Sequence, residues 1–81
     1  MPEHHVLLLL IGRSLSASYI TMAEIKGVLS TTEEFGLDPA EMDLSELVGR
    51  LIEERLMRVS TESIYEVTGN GRVFIDRELS A

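Results

Sequence analysis

The stretch LSELVGRLIEERLMRVSTESIYEVT, Leu44 to Thr68, changes its period in the middle. Up to Leu56 the apolar residues fall at Leu44, Leu47, Val48, Leu51 and Ile52, with Leu56 extending them. That i, i+3, i+4, i+7, i+8 set makes one face of an α-helix. From Met57 the pattern is β-prone: Met57 and Val59, then Ile64 to Thr68, separated by the turn-like Ser60-Thr61-Glu62-Ser63. A helix running into a hairpin makes this an α+β chain.

Upstream, start signals mark where the helices begin. Asp43-Leu44-Ser45-Glu46 is a capping box, and Asp38-Pro39-Ala40-Glu41 places a capping residue, a first-turn proline and a glutamate in helix-starting order. The segment is either one long helix from Asp38 or a short turn followed by a helix from Leu44, ending near Leu56. Residues Ser30 to Gly36 read as a polar loop with Phe35 tucked under. Before them, Thr21-Met22-Ala23-Glu24 is another capping box, with Ile20 and Ile25 at the spacing of a hydrophobic staple; the helix it opens carries Ile25, Val28 and Leu29 inward. Ser18 to Ile20 reads as a short strand. A first helix is expected over Glu3 to Arg13, with Val6, Leu7, Leu10 and Ile11 as its stripe and Leu8 and Leu9 widening it; Gly12 and the serines after it break the pattern. The expected core sets Leu47, Val48, Leu51 and Ile52 against Val6, Leu7, Leu10, Ile25 and Leu29. The tail has two readings. Asn70-Gly71 is a favoured hairpin turn that would return Arg72 to Ile75 as a strand; alternatively Thr68 caps a final helix carrying Val73, Phe74, Ile75 and Leu79.

This order of elements is that of a winged helix-turn-helix domain. Leu47 to Met57 looks like the end of a recognition helix and its exit into the wing. Tyr65-Glu66-Val67-Thr68-Gly69-Asn70-Gly71-Arg72 resembles the Tyr-x-Leu-Thr-x-x-Gly-Arg segment that closes the wing in MarR-like and PadR-like bacterial regulators. The resemblance covers nearly the whole chain. It implies a three-helix core, a two- to three-stranded antiparallel wing, a short C-terminal helix beginning at the threonine, and homodimers formed through the terminal helices. One departure is that Arg55 stands where such proteins commonly carry a glycine after the recognition helix.

Size and composition limit the rest. Eighty-one residues make one domain, residues 1–81, with a modest core. Without cysteine there is neither a disulfide framework nor a thiolate metal site. The apolar run Val6 to Ile11 is far short of the ~20 residues that span a bilayer, so a cytoplasmic protein without membrane contact is expected. The leading apolar surplus, Leu8, Leu9, Phe74 and Ile75, is expected to exceed what so small a core hides and to mark a partner surface.

The resemblance implies DNA binding with the third helix in the major groove. The residues off its apolar stripe, Ser45, Glu46, Gly49, Arg50 and Glu53, would then face bases, with Arg50 best suited to guanine O6 and N7. Arg55, Arg58 and Arg72 would hold phosphates. Charge points the other way. The net charge is −7, and between Asp38 and Leu56 six acids stand against two arginines. Phosphate neutralisation supplies most nucleic-acid affinity, so the acidity favours a protein partner met through an acidic face. The two readings are a DNA-binding transcriptional regulator and an acidic interaction module or subunit of a larger assembly. Catalysis is not expected: Glu33-Glu34 and Glu53-Glu54 diverge as consecutive residues, no nucleophile motif is present, and no cofactor is called for. Neither is a metal expected, because His4 and His5 as helix neighbours point about a hundred degrees apart, into solvent and without a partner.

Overall fold

The computed structural model describes residues 2–14, 19–29 and 43–80. Among them the chain is a small α+β domain: α1 (Glu3–Ser14), β1 (Tyr19–Thr21), α2 (Met22–Leu29), α3 (Leu44–Glu53), β2 (Met57–Thr61), β3 (Ile64–Val67) and α4 (Gly69–Ser80). The strands form one antiparallel sheet in the order β1-β3-β2. The register pairs Ile20 with Tyr65 and Met57 with Val67. Ser18, Phe35 and the Asp38-Pro39 start signal lie outside the described residues, as does the side chain of Leu29.

Local signals explain where the elements begin. At α2 the Glu24 N–H donates to Thr21 Oγ1 (3.2 Å) and the Thr21 N–H donates back to Glu24 Oε1 (3.1 Å), a closed capping box. Ile20 and Ile25 on either side of it are fully buried. Asp43, in extended conformation, caps α3 by accepting from the Glu46 N–H at 3.2 Å, so this helix starts at Leu44. The tail is a helix. Thr68 Oγ1 accepts from the Gly71 N–H (3.1 Å), and α4 follows.

The termini of α3 and the hairpin correct the sequence reading in two places. The helix ends at Glu53 rather than Leu56, because Arg55 adopts φ 62°. The Leu56 N–H then donates to Leu51 O (2.9 Å) and the Arg55 N–H to Ile52 O (3.0 Å). Those two bonds form a Schellman motif, with arginine in the left-handed place that glycine usually fills. Leu56 leaves the helix but stays in the core, beside Leu51. In the hairpin, β2 runs on to Thr61 with an irregularity between Val59 and Thr61, leaving Glu62 and Ser63 as the turn; Ser63 is the other left-handed residue.

The core joins Leu7, Leu8 and Ile11 of α1 to Ile20, Ile25, Leu47, Val48, Leu51, Leu56, Met57, Val67 and Ile75. Val6 and Ile52, expected inside, are only half-buried. Leu8 and Ile75, expected as surplus, are buried, and Leu9 and Phe74 are partly buried against the core. Of the expected α1 stripe, Leu7, Leu10 and Ile11 are buried and Val6 is the residue that falls short. The buried face of α1 is Leu7, Leu8, Leu10 and Ile11, and it takes in His4 one turn before Leu7 and Leu8. Gly12 does not break the helix: a Cβ there would stand 2.6 Å from Ile75 Cγ2, so the glycine lets α4 cross close to α1. Gly71 does the same against backbone, where a Cβ would lie 2.2 Å from Leu56 O.

Candidate functional site

The apolar stripe of α3 faces the core, which turns Ser45, Glu46, Arg50 and Glu53 to solvent with Gly49 half-buried beside them. This is the set expected on the outer face. Glu46, Gly49, Arg50 and Glu53 line an open cleft of about 480 Å³ together with His4 of α1 and Glu54 at the end of α3. A neighbouring cleft of about 360 Å³ between the starts of α1 and α3 adds Glu3 and Asp43 to the same surroundings. Both clefts hold more carboxylates than cations.

The arginines singled out in the sequence have carboxylates or backbone beside them. Arg50 donates from Nη2 to Glu46 Oε1 at 3.0 Å, one turn back on α3. Arg58 in β2 sits directly across from Glu66 in β3, with Nε 2.6 Å from Oε1. Arg55 is exposed at the left-handed turn. Arg72 is half-buried in the first turn of α4, its N–H bonded to Thr68 O at 2.9 Å. Arg55, Arg58 and Arg72 do not line the clefts that hold Arg50.

A second constellation corrects the reading of the histidines. His4 is buried and His5 half-buried. Both Nε2 atoms meet one carboxylate: His4 bonds to Glu54 Oε2, and His5 to Glu54 Oε1 at 2.8 Å. With an ionised carboxylate as acceptor, each ring donates through Nε2–H. The two rings are 4.3 Å apart, and Phe74 packs on His5 at 4.9 Å. The hundred-degree divergence of neighbouring side chains is overcome because His4 points into the α1–α3 seam while His5 reaches around its edge. The hydrogen bond from His5, helped by His4 and opposed by partial burial, holds the Glu54 carboxyl below the usual carboxylate range. The resulting stabilisation is present above the unfolded carboxyl's range and is lost as pH falls through the lower folded value. Glu54 is 43% exposed, so the contribution is small. The available signal was positional, since His4 precedes Leu7 and Leu8 by three and four residues and so shares their face.

Among the described residues, no helix is long and apolar enough to cross a membrane. Comparison with protein-family models, curated proteins and solved structures gives no match to this chain.

Proposed function

We propose that this chain is a winged helix-turn-helix domain that docks a macromolecular partner on the outer face of α3, and that the partner is a basic segment of a protein. The α-β-α-α-β-β-α order, with the hairpin directly after α3, supports the winged-helix reading, as does the Tyr65 to Arg72 segment. The observation that carries the choice of partner is the charge of that face. Glu46, Glu53 and Glu54 surround Arg50, and Arg50 is already bonded to Glu46. Such a surface attracts lysine and arginine side chains and repels phosphates.

DNA is the second reading, favoured by the exposure of Arg50, Arg55 and Arg58 on α3, the turn and the hairpin. Exposed ion pairs are worth little, so phosphates could draw Arg50 and Arg58 from their glutamates. In that reading Ser45, Glu46, Gly49 and Arg50 face bases, and Arg55, Arg58 and Arg72 hold the backbone of a site bound by a homodimer. Val73 and Leu79, both at least half exposed on α4, offer apolar surface for such pairing.

Titration of the full chain with a lysine- and arginine-rich peptide and with mixed-sequence duplex, at several salt concentrations, separates the two. The expected result is saturable peptide binding that salt weakens and that Glu46→Gln with Glu53→Gln removes. Duplex binding whose log affinity falls against log salt with slope near −5 overturns it. That slope follows from about three phosphate contacts per subunit of a dimer at about −0.9 each.

A further inference from the structure

We infer that His4, His5 and Glu54 form a binding site for a divalent transition-metal ion of the Zn²⁺ type. The three ligand atoms, one from each residue, lie within 4.8 Å of one another. In a tetrahedral zinc site with bonds of about 2.0–2.2 Å, ligand atoms stand about 3.4 Å apart. Two imidazole nitrogens and one carboxylate are the three-ligand set of zinc sites that keep a further position open. They also suit borderline metals rather than Mg²⁺ or Ca²⁺, which take oxygen ligands.

The scaffold around the set is fixed. His4 is buried in the α1–α3 seam, and the His5 ring meets those of His4 and Phe74 in tilted contacts. Glu54 is the C-cap of α3, its own N–H donating to Arg50 O at 3.0 Å. Two ligands thus come from the first turn of α1 and the third from a residue fifty positions away, brought together by core packing. The open side gives onto the 480 Å³ cleft, where water or a partner's side chain can complete the coordination. Without metal, each Nε2 carries a proton and donates to Glu54. On binding, each ring takes its Nδ1–H tautomer and turns the Nε2 lone pair to the ion, so two hydrogen bonds become two metal bonds. The ion replaces an α1–α3 hydrogen-bonded clasp with a coordinate one, and it stabilises the fold by its preference for the folded form.

The test is titration of the untagged full chain with Zn²⁺ by calorimetry and with Co²⁺ by visible absorption, with Mg²⁺ as the hard-cation control. One Zn²⁺ per chain is expected, together with Co²⁺ ligand-field bands and a melting temperature that rises with Zn²⁺ but not with Mg²⁺. His4→Ala, His5→Ala and Glu54→Gln should each weaken Zn²⁺ binding by roughly tenfold or more, on the scale of losing a metal-site partner. Glu62→Gln, in the exposed hairpin turn, should leave it unchanged. No saturation below millimolar Zn²⁺ overturns the site. So does binding that survives Glu54→Gln in a variant whose amide NMR spectrum shows it folded, because two histidines alone would then account for it.

Discussion

Neighbouring residues at the end of α3 tie the helix to opposite sides of the molecule by different physics. On one side Arg55 and Leu56 join α4. Thr68 Oγ1 donates to Arg55 O (2.6 Å), Thr68 N–H donates to Leu56 O (3.1 Å), and Gly71 lies against the Leu56 carbonyl. On the other side Glu54 joins α1 through two imidazoles. The first junction is made of backbone groups over buried apolar side chains, where an unmade hydrogen bond or an added methyl has nowhere to go. The second is made of side chains, one of them 43% exposed, that water can replace. The comparison separates what holds the fold from what is free to bind something.

The largest effects should therefore fall on the Leu56 side. Leu51 is fully buried and packs within the same cluster as Leu56, Leu7 and Ile25. Leu51→Ala should lower unfolding free energy by about 2–5 kcal/mol in denaturant titration, enough to endanger a domain this small. A loss below ~0.5 kcal/mol would remove Leu51 from the core and dissolve the comparison. Gly71→Ala comes next. Its methyl would meet a carbonyl oxygen rather than a flexible side chain, so α4 must shift away from Leu56. The expected loss is about 1–3 kcal/mol, the scale of overpacking. Gly49→Ala, with open space around the new methyl, serves as the control and should stabilise α3 slightly.

Much of this division was legible in the sequence, and the misses have definite causes. The period change after Leu56 located the hairpin, and the two threonine- and aspartate-led capping boxes located α2 and α3, because these signals are local. Asn70-Gly71 was the opposite case. It carries a strong turn preference, but Thr68 caps a helix there and Gly71 is used for close approach instead. Gly12 misled in the same way: helix propensity marks it as a break, while its role depends on Ile75, 63 residues away. In α1 the stripe Leu7, Leu10 and Ile11 was legible, but six apolar residues in a row leave its edges open, so Val6 was included and the buried His4 was missed. The acidic face of α3 followed from helical spacing alone. The His4–His5–Glu54 cluster did not, since it exists only after α1 and α3 have packed.

Arg55 sharpens the comparison from within the stable junction. Its φ of 62° strains any side-chain-bearing residue, whereas glycine adopts it freely. Arg55→Gly should preserve the Schellman bonds and change stability by up to about 1 kcal/mol in the stabilising direction, with relief of strain set against the greater freedom of glycine when unfolded. Thermal unfolding measures it. A clear destabilisation would mean that the arginine side chain itself anchors the turn.

The smallest effect should come from the residue next to it. In metal-free protein, Glu54→Gln removes the charge but leaves an amide oxygen able to accept from one imidazole, so the seam keeps one of its two hydrogen bonds. The lost interaction is charge-assisted but exposed and screened, and pairs of that kind are worth about 0–1 kcal/mol. Chemical denaturation in the presence of a chelator should place Glu54→Gln within about 1 kcal/mol of the parent. A loss comparable to Leu51→Ala would show that the α1–α3 seam depends on the clasp as much as on Leu7 and Leu8. The two sides of the α3 terminus would then be alike, and the reading of Glu54 as a group available for binding would fail.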